Sequence, residues 1–375
     1  MLRSFSVKGF KNFKDEIILD LSDVKEYDFN EVCILDNTIR SSITYGHNSS
    51  GKSNFGEAIF DIVANLTDKN KAPELYNNYL NLDSTSELAE FCYKFSFFGK
   101  ELVYMYKKQD QDTILEEQIS INNKVVVEYN YKNNLGRTIL RNTEKLNLRL
   151  YDKNISFVKY IYKNTNLDKR DKDNKIFCAL FDFVERMLFF RSLKDNNYIG
   201  FTNGTEKISN GILKADRLND FEEFLKENGI DYRLIKNPND DKEISCQFKN
   251  KIVNLFDVAS SGTRALALFY FWYIRLRNAS FVFIDEFDAF YHSDIASYVI
   301  KALLKINNIQ FMLTTHNTDI MTNELLRPDC YFILQDGIIK SIANSTSKEL
   351  SISHNLQRMY KGKAFEGVKN DSNNI

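Results

Sequence analysis

The chain has 375 residues, 43% of them hydrophobic, enough for one large domain or two smaller ones with a sizeable core. Fifty basic residues against 51 acidic ones leave a net charge of −1, which excludes a global basic field, so any nucleic-acid binding needs a local patch. Five widely spaced cysteines with no C-x-x-C pair argue against a zinc site or disulfide framework and fit a reduced, cytoplasmic setting. The start of the chain does not read as a leader, because Arg3, Lys8, Lys11 and Lys14 interrupt any apolar run. No stretch approaches the ~18–20 apolar residues of a membrane span.

Residues 2–7 alternate apolar and polar and predict a first strand; 16–21 predict its return after the turn Gly9-Phe10-Lys11-Asn12-Phe13-Lys14. Residues 32–35 can form another strand, and 41–45 predict a short buried one. It runs into Gly46-His47-Asn48-Ser49-Ser50-Gly51-Lys52-Ser53, and from Asn54 a helix is predicted over 54–64. A strand, a glycine-rich turn and Lys-Ser opening a helix form the P-loop pattern. Gly46 and Gly51 let the backbone wrap phosphate without a Cβ in the way, and the loop N–H groups and helix N-terminus point at the anion. Lys52 can neutralise the β- and γ-phosphates of ATP, and the Ser53 hydroxyl can bind Mg²⁺. A chance match of the pattern in an ordinary loop is the competing reading, and the strand and helix on either side speak against it.

Runs 91–98, 101–107, 113–121 and 124–129 predict an antiparallel meander broken at Gly99-Lys100, 109–112 and Asn122-Asn123. Helical spacing follows over 155–163, 175–193 and 211–228, with a charged, solvated loop over 164–174. These suggest a helical lobe inserted over 133–230, its aromatic residues serving a core. Strands are again predicted at 232–235, 244–248 and 251–256. Val258-Ala259-Ser260-Ser261-Gly262-Thr263-Arg264 then leads into an apolar helix over 265–276, with Ser261 as the expected N-cap. Ser260-Ser261-Gly262 is either a plain capped helix start or an ABC-type signature, which binds the γ-phosphate held by a second subunit's P-loop.

Phe281-Val282-Phe283-Ile284-Asp285-Glu286 is a buried strand ending in two carboxylates, a Walker B pattern. Asp285 can hold Mg²⁺ opposite Ser53, and Glu286 is placed to polarise the attacking water as general base. After a helix over 293–306, a strand over 310–314 ends at Thr315-His316-Asn317, the setting of a switch histidine that contacts the γ-phosphate. Asp288-Ala289-Phe290-Tyr291-His292 falls at the D-loop position, and His292 reads as structural. A final strand pair, 330–334 and 338–341, surrounds Asp336-Gly337.

P-loop, signature, Walker B and switch histidine in this order resemble ABC-type ATPases of the SMC and RecF kind rather than ring-forming AAA machines. The opening Leu2-Arg3-Ser4-Phe5 with Gly9-Phe10-Lys11-Asn12-Phe13-Lys14 also looks like theirs. There a basic residue near the Asn-Phe turn approaches the nucleotide, which nominates Lys14 and Lys11. The chain is most similar to compact bacterial phage-defence ATPases of the AbiLi, RloA and PARIS AriA types. That likeness rests on Ser260 to Arg264, Asp285 to His292, Thr315-His316-Asn317 and the tail Leu356 to Phe365. It covers both ends of the chain better than the middle. The signature lacks the glutamine of transporter ATPases, and the sequence does not place a Q-loop, for which Gln118 is a weak candidate. The insert is too short for an SMC arm, and no acidic nuclease domain follows His316.

The resemblance implies an α/β ABC-type P-loop ATPase head: an N-terminal part over 1–132, the helical lobe over 133–230 and a C-terminal part over 231–375. It implies an ATP hydrolase with Lys52, Glu286 and His316 as catalytic residues. Gly46 to Asn54, Lys14, Ser260, Ser261 and Gly262 would hold nucleotide, and Ser53 and Asp285 would hold Mg²⁺. The expected partners are a second copy of the chain or a higher homo-oligomer, and a separate effector or toxin; DNA is a further option, and no membrane is expected. The expected role is a sensor or gate in anti-phage defence. A RecF-like DNA-repair ATPase and a slow nucleotide-dependent scaffold holding a toxin are the alternatives.

Overall fold

The computed structural model describes residues 1–69, 77–191, 197–199 and 207–365. Two seven-stranded sheets dominate it. The first is the meander. Leu2–Lys8 pairs antiparallel with Ile17–Asp20 on one side and with Ala89–Phe97 on the other. Lys100–Lys108, Ile114–Ile121, Lys124–Asn130 and Leu135–Thr138 then follow in order. Its turns use the left-handed residues Phe98, Gly99, Asn122 and Asn123, as expected where tight hairpins need positive φ.

In the second sheet, five parallel strands run in the order Leu188–Arg191, Phe281–Asp285, Gln310–Thr315, Ser41–Tyr45 and Tyr331–Gln335. Asn197–Ile199 and Ile338–Ser341 close its edges antiparallel. The central strands are buried throughout, which is why they read as continuous apolar runs instead of alternating ones. Gln310 ties the two sheets together: its amide donates to the Leu2 carbonyl at 2.8 Å and its Oε1 accepts from Leu2 N–H at 3.0 Å.

The helix Lys52–Leu66 lies between the sheets, and eleven of its fifteen residues are buried. Gly56 and Phe60 face the parallel sheet. A Cβ at Gly56 would sit 2.6 Å from the Phe283 ring, and Phe60 packs on Phe189 with ring centroids 5.2 Å apart. Phe55 faces the meander against Phe5 and Phe13. Burial on two faces stabilises this helix far more than its intrinsic propensity.

Two of the predicted helices are divided differently from the sequence pattern. The run 175–193 is the helix Lys172–Val184, capped by the Asp171 carboxylate, followed by the strand Leu188–Arg191. A short apolar run such as Leu188-Phe189-Phe190 satisfies either pattern, and pairing with Phe281–Asp285 decides for strand. The run 211–228 breaks at Asp216, φ +54°, into Ile208–Lys214 and Leu218–Glu227. Residues 133–230 therefore contribute strands to both large sheets, with Phe157–Asn164 and these helices between them. Leu234–Lys236, Ile244–Gln247 and Ile252–Asn254 form a small antiparallel sheet ahead of the helix Ser261–Tyr273. Among the described residues no helix is long and apolar enough to cross a membrane.

Candidate active site

The site forms where the parallel strands end at their carboxyl side. Tyr45 lies level with Thr315, and Ile284 with Leu313, so the P-loop, Asp285 and His316 emerge side by side. This is where open α/β sheets place ligands.

The P-loop backbone depends on its glycines. A Cβ at Gly46 would lie 2.5 Å from Ser50 Oγ and 2.7 Å from the Leu334 carbonyl. Gly51 has φ +101°, and a Cβ there would run into the Asn12 amide. His47, Asn48 and Ser49 are exposed, while Ser50 Oγ is buried without a hydrogen-bond partner among the described residues. The loop is a closed cradle with polar atoms turned inward, which fits a phosphate.

The Lys52 ammonium is buried beneath it. It donates to the Gly46 carbonyl at 3.0 Å and the His47 carbonyl at 3.3 Å, and lies 2.8 Å from His316 Nε2 and 3.5 Å from Glu286 Oε1. Burial pulls its pKa below the ordinary lysine value, with Glu286 acting in the opposite sense. His316 Nε2 is also 3.0 Å from Glu286 Oε1. One ring nitrogen cannot accept from the ammonium and donate to the carboxylate in the same tautomer, so the tautomer selects between the two contacts. Glu286 and His316 keep 16% and 38% of their side chains exposed, which leaves room for a ligand to compete for them.

Asp285 is buried and accepts from the Thr314 hydroxyl at 2.7 Å. Ser53 sits half-buried in the first turn of the P-loop helix. Among the described residues no three His, Cys, Asp or Glu side chains converge into a ready-made metal centre. The hard oxygen donors of Ser53 and Asp285 fit a divalent cation that completes its shell with phosphate oxygens.

The structure joins Lys52, Glu286 and His316 directly and leaves other predicted residues apart. Asn54 donates to Asn12 Oδ1 at 2.8 Å. Lys14 is exposed, whereas Lys11 forms an ion pair with Glu57 of the P-loop helix. Ser260 and Ser261 are exposed at the start of the helix Ser261–Tyr273. The N-cap is Ser260, not Ser261: its hydroxyl accepts from Thr263 N–H at 3.1 Å, three residues on, as capping requires. Gly262 lies against the Phe290 carbonyl, 3.1 Å from where a Cβ would stand. Gln118 follows the inward Glu117 in its strand, so alternation turns it to the opposite face of the meander. Two residues escaped the sequence reading. Asn12 touches the P-loop, though only its place in the Asn-Phe turn hinted at it. Thr314 links the Asp285 carboxylate to the Glu286 backbone N–H, and a polar residue at the end of a buried strand was the signal.

Residues 45–322 match the family model described as "AAA domain, putative AbiEii toxin, Type IV TA system". The chain belongs to this family. It is an ATP-hydrolysing P-loop protein, built from a mixed sheet and an N-terminal antiparallel meander. No curated protein sequence matches it. Solved structures similar to it include the SMC head domain from Thermotoga maritima, at 17% identity over 90% of this chain and 97% of that one, TM-score 0.44. The Smc head domain with a coiled coil and joint from Pyrococcus yayanosii is 13% identical over 96% and 99%, TM-score 0.47. The transporter component cbiO1 from Clostridium perfringens is 12% identical over 91% and 89%, TM-score 0.35.

Proposed function

We propose that this family member closes as a dimer or higher oligomer around ATP and uses that cycle as a sensor or gate in anti-phage defence. A separate effector or toxin would be controlled by it in the cytoplasm. The observation that carries the reading is the Lys52–Glu286–His316 cluster beneath a glycine-dependent loop. The family description, with its toxin–antitoxin association, supports the defence role. The exposed Ser260 and Ser261, next to half-buried Gly262, support closure by a second copy, because an outward-facing helix start can reach a nucleotide bound elsewhere.

The chemistry follows from the side chains. Gly46 to Asn54 would cradle the phosphates, and Lys52 would exchange its loop carbonyls for β- and γ-phosphate oxygens. Ser53 and Asp285 would hold Mg²⁺, which neutralises phosphate charge. Glu286 accepts a proton as water attacks the γ-phosphorus and the bond to the bridging β–γ oxygen breaks. His316, already touching both Lys52 and Glu286, reports the γ-phosphate to the base. Ser260, Ser261 and Gly262 would complete the site from the second copy, and Lys14 would approach from the opening turn.

The test is Glu286→Gln. ATP retention with turnover reduced on the order of 10³-fold is expected; normal turnover ends the assignment. Affinity capture of that variant from its native locus then separates roles. A stoichiometric protein encoded beside it supports gating, whereas nuclease-sensitive DNA alone points to a repair ATPase.

A further inference from the structure

Glu286 has φ +48°, the left-handed region that a non-glycine residue enters only when its surroundings hold it there. Its neighbours on the strand Gln310–Thr315 supply that hold. The Thr314 hydroxyl accepts from Glu286 N–H at 2.8 Å and donates to Asp285 Oδ1 at 2.7 Å. The Thr314 carbonyl accepts from Phe287 N–H at 3.1 Å. Thr315 repeats the pattern one residue on, donating to Asp288 Oδ1 at 2.7 Å and accepting from Asn317 N–H at 2.8 Å. The bend that presents the base is thus stitched to the neighbouring strand at Asp285, Glu286, Phe287 and Asp288.

Thr314 is 1% exposed, so water does not replace its hydroxyl if it is lost. That hydroxyl has one proton and spends it on Asp285, which leaves a lone pair facing Glu286 N–H. Its orientation is therefore fixed from both sides.

We propose that Thr314 is a positioning residue for Glu286: its hydroxyl holds the bend that sets the base against His316. The proposal rests on Glu286 being the general base. It acts through a residue one strand away.

The experiment compares Thr314→Val, which keeps the shape and removes the hydroxyl, with Thr314→Ser, which keeps the hydroxyl. ATP hydrolysis, ATP affinity and thermal melting are measured on the full chain. Thr314→Val is expected to lower kcat 10- to 100-fold, as roughly a 1 Å displacement of a reacting group does, with ATP affinity unchanged within about twofold. Thr314→Ser is expected to recover kcat to within about threefold, and Thr314→Val placed on Glu286→Gln to add nothing. Unchanged kcat in Thr314→Val overturns the proposal. So does a joint fall of kcat, ATP affinity and melting temperature that serine does not repair. Restoration of Thr314→Val by excess Mg²⁺ also overturns it, because the hydroxyl then serves Asp285 alone. If Glu286→Gln itself turns over normally, the reading of the base fails first; if it does not, and Thr314→Val does, only the positioning role fails.

Discussion

Two of the lysine–carboxylate contacts made by the P-loop helix are built in opposite ways. At its first residue, Lys52 stands 3.5 Å from Glu286 and spreads its protons over two loop carbonyls and His316. Nine residues on, Asp61 meets Lys108 of the meander at 2.7 Å, both side chains 1% exposed. Tyr79 and Tyr106 donate to the same carboxylate at 3.0 and 2.8 Å, and the ammonium stands over both rings at 5.9 and 5.4 Å. The second pair is complete and closed; the first is loose and reaches solvent through Glu286 and His316. A charge cluster whose partners are all supplied by the protein anchors structure. One whose partners are replaceable carbonyls can hand its cation to a ligand.

A second closed centre reinforces the contrast. Glu117, buried in the meander, accepts from Tyr104, Tyr131, Ser156 Oγ and Phe157 N–H at 2.5 to 2.7 Å, and from Asn65 of the P-loop helix at 3.3 Å. Its carboxylate has no cation among these partners, yet five donors satisfy it, as a buried charge requires. It accepts from the first N–H of the helix Phe157–Asn164 and ties the far end of the P-loop helix to the meander.

Three substitutions test that division. Lys52→Ala should have the largest effect, lowering ATP turnover on the order of 10³-fold, about 4 kcal/mol in the barrier. Its melting temperature should hold, because Glu286 and His316, the side chains it leaves, keep contact with solvent; a large fall in melting temperature would place Lys52 among the anchors. Lys108→Met should do the reverse and cost about 3 kcal/mol of unfolding free energy by stranding Asp61, the low end for a broken buried pair because two tyrosines remain. Denaturant unfolding reads this directly, and an unchanged midpoint would show that the tyrosines alone satisfy the carboxylate. Asp68→Asn should matter least. Hydrogen bonds from Lys159 and Lys163 lower the Asp68 pKa from 3.8 to about 2, but the pair is solvent-exposed and worth less than about 1 kcal/mol. A depressed carboxylate pKa gives stability that is complete above 3.8 and lost as pH falls toward about 2. The wild type and the Asn variant should therefore converge in acid and differ slightly near neutrality, which thermal melts across pH can follow.

The linear chain was enough to read the meander, the P-loop strand and helix, and the strands before Asp285 and His316, because each is a local period or a local motif. Alternation marks a half-exposed sheet, and glycines with Lys-Ser mark a phosphate turn, whatever lies beyond them. What the sequence left open depends on pairing across long separations. Leu188-Phe189-Phe190 is a strand because Phe281–Asp285 lies beside it. Ser260 is the cap because the helix begins where Ser260 Oγ meets Thr263 N–H. Asn12 and Thr314 belong to the site because the fold brings a turn and a strand end, 38 and 29 positions from their partners Ser50 and Asp285, to within reach of the P-loop and Glu286. Local residues determined which groups could do the chemistry. Only the packed strands decided which of them meet, because the distance between two side chains is a property of pairing and not of spacing in the chain.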